Sequence, residues 1–75
     1  MPKLIPIKAK KLIKILQSLG FIRRDAGGSH VFFRHLDGRT TVVPVHNREL
    51  DKGLLRKILN DIQLSVEEYD VLRKL

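Results

Sequence analysis

The sequence predicts a small α+β fold in which two helices cover one face of a three-stranded antiparallel sheet. Apolar residues recur at helical spacing near both ends of the chain, and three short segments between them are rich in aromatic and β-branched residues. Helices with one apolar stripe each must bury it against the same sheet face. The predicted order is α-β-β-β-α plus a short C-terminal helix, and 75 residues are enough for one domain, residues 1–75.

The first helix is predicted over residues 8–19. Gly20 follows at the position of a left-handed C-cap, whereas Lys8 is a poor N-cap because its side chain has no oxygen to accept a backbone hydrogen bond. The apolar stripe consists of Leu12, Ile15, Leu16 and Leu19. The opposite face carries Lys10, Lys11 and Lys14.

Three strands are predicted over residues 21–26, 30–36 and 39–45. Paired glycines in residues 26–29 indicate a turn between the first two strands. The Asp37-Gly38 dipeptide predicts a two-residue hairpin between the second and third. Pro44 has no amide hydrogen, so we expect the third strand to lie at an edge of the sheet or to end near Pro44.

A two-residue turn places Leu36 opposite Arg39 and divides the side chains of the hairpin between two faces. The face under the helices is then expected to carry Val31, Phe33, Val42 and Pro44. The face left open is expected to carry His30, Phe32, Arg34, Thr41, Val43 and Val45. Such a mixture is typical of a surface that binds RNA or a protein. Alternatively, the C-terminal helix covers part of it.

The C-terminal third of the chain is predicted to be helical. A second helix over residues 51–62 has its apolar stripe at Leu54, Leu55, Ile58, Leu59 and Ile62. Ser65 and Glu68 form a Ser-x-x-Glu capping box, which predicts that a short last helix begins there.

Charge and composition limit the function classes. The net charge is +7, and residues 1–48 hold ten of the fifteen basic residues with only two acidic ones. This excess favours a phosphate-bearing partner over a solvated basic face. Cysteine is absent, which excludes disulfides, thiolate zinc sites and a cysteine nucleophile. No apolar run approaches about 20 residues and no signal peptide is evident, so we expect a cytoplasmic protein. Binding to a membrane surface is not expected either, because the basic first helix carries no aromatic anchors.

Three short motifs follow one another along the chain. They are Gly27-Gly28-Ser29-His30 before Val31-Phe32-Phe33, then Val42-Val43-Pro44-Val45-His46, and then Lys52-Gly53-Leu54-Leu55-Arg56-Lys57-Ile58-Leu59. In this order and at this spacing they resemble the HicA family of toxin ribonucleases. The family pattern is a Gly-Ser-His at a strand start, a Val-Pro-x-His on the third strand and a Gly-x-Leu-Arg-x-Ile-Leu second helix. The resemblance extends over about residues 6–69.

The resemblance implies a fold like that of a double-stranded-RNA-binding domain. It implies the toxin component of a type II toxin–antitoxin system, an mRNA interferase that cleaves mRNA and arrests translation. It also implies a HicB-type antitoxin protein as partner. The family's catalytic histidine falls on His30.

The chemistry of RNA cleavage supports the same residue. A neutral imidazole can take the proton from a ribose 2′-hydroxyl without any metal or small-molecule cofactor. The alternative is that His30 only caps a tight turn. His46 is a candidate acid for the leaving group, but the favoured interpretation is that it only forms a hydrogen bond within its own loop. His35 is expected to be exposed.

A set of candidate RNA-binding residues accompanies His30. The cations would stabilise negative charge on phosphorus, with Arg34 expected to lie nearest His30. The glycine would let the RNA backbone approach, and the phenylalanine would stack on a base. The set consists of Lys10, Lys11, Lys14, Arg23, Arg24, Gly28, Ser29, Phe32 and Arg34. No metal site is predicted, because carboxylates are scarce and His30 and His35 point to opposite faces.

Three functions remain open at this point. The first is a ribonuclease toxin, the second a non-catalytic RNA-binding module of the same fold, and the third a domain whose open face only docks a protein. A histidine in the Gly-Ser-His motif favours the first over the second.

Overall fold

The computed structural model describes residues 3–25, 28–46 and 48–75. Its elements are α1 (Ala9–Ser18), β1 (Ile22–Asp25), β2 (His30–Arg34), β3 (Thr40–Pro44), α2 (Lys52–Asp61) and α3 (Val66–Arg73). This order confirms the predicted α+β class and is consistent with the fold of a double-stranded-RNA-binding domain. Ala26 and Gly27, half of the predicted first turn, lie outside the described residues. Within the described ranges, no helix is long and apolar enough to cross a membrane.

The helix ends follow the capping signals in the sequence. Lys8 is the N-cap of α1 and makes no side-chain capping bond, as expected. The C-terminal end of α1 is closed by two backbone hydrogen bonds, from the amide of Gly20 to the carbonyl of Gln17 (3.1 Å) and from the amide of Phe21 to the carbonyl of Leu16 (3.0 Å). These bonds turn the chain directly from α1 into β1.

The other two helices begin at side chains that accept backbone hydrogen bonds. Asp51 caps α2 by accepting from the amide of Leu54 at 2.8 Å. Ser65 and Glu68 form the predicted capping box at the start of α3. Both predicted starts are therefore the cap residues, one position before the helix proper.

The sheet has the order β1-β2-β3 and is antiparallel throughout, so β2 lies in the centre. Pro44 is the last residue of the edge strand β3, as its missing amide predicted. The predicted hairpin register is wrong by one residue, since Phe32 lies opposite Val42 and His30 opposite Pro44.

The error comes from the length of the hairpin loop. The amide of His35 donates to the carbonyl of Arg39 at 2.9 Å, which leaves a three-residue loop of Leu36, Asp37 and Gly38. Gly38 has a φ of +99°, the left-handed residue that such a loop needs. A three-residue loop shifts β3 by one position and exchanges its two faces.

The exchange reverses the predicted faces of β3, whereas the predicted faces of β2 are confirmed. The covered face, packed under the helices, carries the buried Val31, Phe33, Thr41 and Val43. The open face carries Ile22, Arg24, His30, Phe32, Arg34, Thr40, Val42 and Pro44. Thr41 and Val43, predicted to be open, are thus covered, and Val42 and Pro44 are open. Val45, also predicted to be open, lies beyond the end of β3 and is exposed.

The core lies between the covered face and the helices. α1 and α2 both contact β3, and α3 packs against α1. α3 is therefore part of the helix layer, and the alternative that it covers the predicted open face is wrong. Tyr69 of α3 is buried, and its hydroxyl donates to the carbonyl of Ile5, which holds the N-terminal segment on the core.

Candidate functional site

His30 begins β2 at one end of the open face. Its side chain is exposed, and the hydroxyl oxygen of Ser29 lies 3.4 Å from its Nδ1 atom. Gly28 before it has a φ of +75°, and a Cβ atom placed there would meet nothing within 4 Å. The space beside the glycine and the exposed ring leave His30 accessible to a large molecule such as a polynucleotide.

Alternation along β2 places Phe32 and Arg34 on the same face as His30. Arg24 lies opposite Phe32, and Ile22 lies opposite Arg34. The backbone of Arg24 is thus one diagonal step from His30, about 7–8 Å. Arg34 is four residues further along β2, about 13 Å away. The expectation that Arg34 is the nearest cation is wrong, because the sequence did not place β1 against β2.

The open face has an unbalanced charge. It carries two arginines and a histidine, and none of the residues that form it is a carboxylate. Within the described part of the chain, Arg24 and Arg34 make no ion pair. Two guanidinium groups that lack a protein partner are available for phosphate, which they can bind through paired N–H donors.

Arg23 differs from its neighbour Arg24. Because side chains alternate along β1, the side chain of Arg23 points away from the open face. Its Nε atom forms an ion pair with Asp25 at 2.8 Å. Arg23 was predicted to bind RNA together with Arg24, but the structure does not place the two on one surface.

The three predicted lysines also lie apart from His30. Lys10 and Lys14 are exposed on α1, in the helix layer, and Lys11 is half-buried and donates to the carbonyl of Leu75 at 2.7 Å. Lys11 and Lys14 line a groove between α1 and α3 with Leu72 and Leu75. Arg24 and Arg34 therefore share the open face with His30, whereas the three lysines lie on a separate surface.

Comparison with protein families gives one result. Residues 9–64 match the HicA toxin of bacterial toxin–antitoxin systems, which is more than half of the chain. The chain belongs to the HicA toxin family. The matched residues run from the first residue of α1 past the end of α2 and include the whole sheet. The chain is thereby a toxin of a toxin–antitoxin system, and a cognate antitoxin is implied. Curated proteins gave no match to it.

The other two histidines of this HicA-family chain, His46 and His35, make contacts within the fold. The Nδ1 atom of His46 accepts the amide of Arg48 at 3.3 Å, which agrees with the favoured reading of a loop contact. His35 was expected to be exposed, and this is wrong. Its ring is half-buried, packs edge-on to Phe21 with centroids 5.1 Å apart, and accepts the amide of Asp37 at 3.1 Å.

The sequence did not reveal the role of Arg39. Its guanidinium lies 5.1 Å from the centre of the Phe21 ring, and it donates to Asp37 at 2.8 Å and to the carbonyl of Ile62. The hydrogen bond from Arg39 lowers the pKa of Asp37, so this carboxylate stays ionised to a lower pH than usual. These contacts tie the hairpin loop of the HicA-family chain to the end of α2.

A second feature that the sequence did not reveal is a depression at the far end of the open face from His30. Its volume is about 150 Å³, and it is lined by Ile22, Arg24, Arg34, His35 and Leu36. Sequence alternation could have placed Ile22 and Arg24 on one face of β1. It could not have brought them beside the hairpin loop, because that needs the register of β1 against β2.

Proposed function

We propose that this chain is a metal-independent endoribonuclease of the cytoplasm, an mRNA interferase that arrests translation by cleaving mRNA. A HicB-type antitoxin binds and inhibits it. The observation that carries the proposal is the exposed His30 at one end of a cationic, carboxylate-free open face, in a member of the HicA toxin family.

His30 acts as the general base in this proposal. Its imidazole takes the proton of a ribose 2′-hydroxyl, and the 2′-oxygen attacks the adjacent phosphorus. The bond from phosphorus to the 5′-oxygen breaks, and that oxygen takes up a proton from solvent. The products are a 2′,3′-cyclic phosphate and a 5′-hydroxyl, and the reaction needs no cofactor. The exposed ring of His30 and the open space at Gly28 support this role.

Arg24 is the cation that stabilises the transition state. Negative charge develops on the oxygens of the pentacoordinate phosphorus, and a fixed positive group nearby lowers its energy. Arg24 is one diagonal step from His30, about 7–8 Å between their backbones, and a long arginine side chain can span that distance. Phe32, opposite Arg24, offers a ring on which an unpaired base can stack.

The antitoxin is proposed to cover the open face. Ile22 and Val42 are 48% and 43% exposed there, which is much apolar surface to leave to water on a small domain. A partner that buries these residues also blocks His30, so one contact would both stabilise the complex and inhibit the toxin.

A non-catalytic RNA-binding module is the second candidate. It is favoured by Lys10 and Lys14, which form an exposed basic surface on α1 away from His30. RNA held there would not reach the histidine.

The test is cleavage of a long single-stranded RNA in EDTA by the purified, antitoxin-free protein. We expect wild type to cleave and His30→Ala to be inactive, with equal thermal stability because His30 is exposed. His46→Ala is the matched control, an exposed histidine in a loop, and should still cleave. If folded wild type leaves the RNA intact, the enzyme proposal is wrong, and binding of RNA or of a protein partner remains as the function.

A further inference from the structure

The depression at the far end of the open face has the chemistry of a nucleotide subsite. Ile22 and Leu36 supply apolar walls, and Leu36 is 90% exposed although it is a large aliphatic residue. Arg24 and Arg34 supply two guanidinium groups at its edge, and the lining contains no carboxylate. A volume of about 150 Å³ holds a single flat ring, since an apolar cavity of about that size binds benzene.

We propose that this depression binds one unpaired nucleobase of the RNA, with Arg34 holding the phosphate on its far side and Arg24 holding the phosphate between this base and His30. This inference rests on the proposed ribonuclease function and names a subsite for it. The base lies between the two aliphatic side chains, where its faces are removed from water. The guanidinium groups bind the backbone, which every base shares, so discrimination comes from the fit of the ring.

The hairpin backbone and the His35 ring that border the subsite are held in place before any ligand binds. The ring of His35 is fixed by the edge of Phe21 and by the amide of Asp37. The hairpin loop that carries Leu36 is tied to α2 through Arg39. A prearranged site loses less conformational entropy on binding, which favours a ligand as small as one base.

The position of the subsite determines what it selects. Arg34 lies about 13 Å from His30 along β2, so the bound base belongs to a neighbour of the nucleotide whose 2′-hydroxyl His30 deprotonates. The open face would then hold a short single-stranded stretch, with Phe32 between the two ends. Bases in a duplex are stacked and paired and cannot enter the depression, so the subsite requires unpaired RNA.

The antitoxin can cover this depression together with the rest of the open face, but RNA fits the depression itself better than a protein segment does. A protein segment could bury Ile22 and Leu36 equally well, but it would need its own anions opposite both arginines at the depression's edge. Single-stranded RNA supplies a base and its flanking phosphates as one repeating unit. An experiment can distinguish RNA from a protein segment as the ligand of the depression.

The experiment uses the full chain with His30→Ala, which prevents cleavage. Two fluorescent probes of about 12 nucleotides, the upper range of such binding sites, are compared by anisotropy. One is single-stranded RNA of mixed sequence, and the other is an oligomer of abasic 1′,2′-dideoxyribose units with the same number of phosphates. The depression is altered by the double substitution Ile22→Ala and Leu36→Ala. Val71→Ala is the control, since Val71 is 62% exposed on α3.

We expect the double substitution to weaken binding of the base-bearing RNA by roughly five- to tenfold, because most of the apolar contact is lost. Binding of the abasic oligomer should not change, and Val71→Ala should change neither. With His30 restored, the double variant should still cleave RNA but with a broader choice of sites.

Two results would overturn the subsite. In one, the double variant binds both probes like the control while wild type still cleaves through His30, so the ribonuclease proposal survives without it. In the other, RNA binding is unchanged but affinity for an antitoxin falls, and the depression is a protein contact. If wild type neither binds nor cleaves RNA, the proposed function fails, and the subsite fails with it.

Discussion

The two faces of the sheet are built from the same strands and have opposite uses. On the covered face, Phe33 and Val43 are fully buried, and Thr41 is the one buried polar residue among those described. On the open face, Phe32 and Val42 lie opposite each other at similar backbone positions but remain partly exposed. A strand that alternates sides can therefore stabilise the fold with every second residue and leave the others free to bind.

The comparison shows where stability and function can be separated. Each covered residue has a neighbour along the chain that faces the open side, so paired substitutions at adjacent positions compare the two faces within one strand. A change on the covered face should alter unfolding, and a change on the open face should alter RNA binding or cleavage.

Phe33 and Phe32 form the strongest pair. Phe33→Ala should lower the free energy of unfolding by about 3–5 kcal/mol, because it leaves a cavity in the core. Phe32→Ala should cost less than about 1.5 kcal/mol, since a half-exposed ring leaves no closed cavity. It should instead weaken RNA binding by about 1–3 kcal/mol if one base stacks there. Urea unfolding and fluorescence anisotropy measure the two effects. Equal losses of stability would contradict the division of the faces.

Arg24 and Arg34 can be compared with Arg23. Replacing the two open-face arginines by Gln should reduce the salt dependence of RNA affinity by about 1.4 log units per log unit of salt, at about 0.7 per phosphate contact with single-stranded RNA. Arg23→Gln should leave the slope unchanged, because its charge is paired with Asp25 and turned from the open face. Anisotropy of the His30→Ala protein over a range of KCl concentrations gives the slopes.

The same titration tests the second basic surface. Gln at Lys10 and Lys14 should leave the slope near that of the parent if RNA lies on the open face. A decrease equal to that of the arginine variant would place RNA on α1 instead, and the proposed ribonuclease site would then hold no substrate.

Local signals in the sequence predicted the elements well, because each is carried by a few adjacent residues. Asp51 and Ser65 accept backbone hydrogen bonds at the starts of α2 and α3, and Gly20 ends α1. The alternation of β2 was also right, since its face is set by Val31 and Phe33 alone. These features depend on neighbours along the chain and not on distant partners.

The parts that failed depend on distance in the chain. An Asp-Gly pair suits both two- and three-residue loops, because each can use a glycine at positive φ, and only the pairing of His35 with Arg39 distinguishes them. The candidate RNA-binding cations were identified by their charge alone, and charge does not indicate on which face of the sheet a side chain lies. Arg23 and Arg24 are adjacent in sequence yet lie on different sides of the sheet.

Tyr69 of α3 lies in the helix layer that packs on the covered face. Burial raises the pKa of its hydroxyl to about 12, from the usual 10.0, because the ionised form is poorly solvated in the core. The unfolded chain loses this proton near pH 10, whereas the folded chain keeps it until about pH 12. The stabilisation is complete below pH 10 and is lost as the pH rises toward 12.

Tyr69→Phe should therefore flatten the alkaline side of the stability profile. At neutral pH it should cost about 1–2 kcal/mol, because the carbonyl of Ile5 loses its partner. Thermal unfolding of both proteins from neutral to alkaline pH gives the comparison. Since Tyr69 is the one tyrosine in the sequence, its ionisation can also be followed directly by absorbance. Parallel profiles for the two proteins would show that the hydroxyl is not buried.

Thr41 and Thr40 give the smallest effect and the most direct test of the register. The hydroxyl of Thr41 donates to Asp61 of α2 at 3.0 Å, and Lys57 also donates to that carboxylate, at 3.1 Å. Thr41→Val should cost about 0.5–1 kcal/mol, because Asp61 keeps Lys57 as a partner. Thr40→Val should lie within about 0.5 kcal/mol of wild type, since Thr40 is exposed on the open face. A two-residue hairpin loop would reverse these two results, so urea unfolding of the pair decides which face of β3 the helices cover.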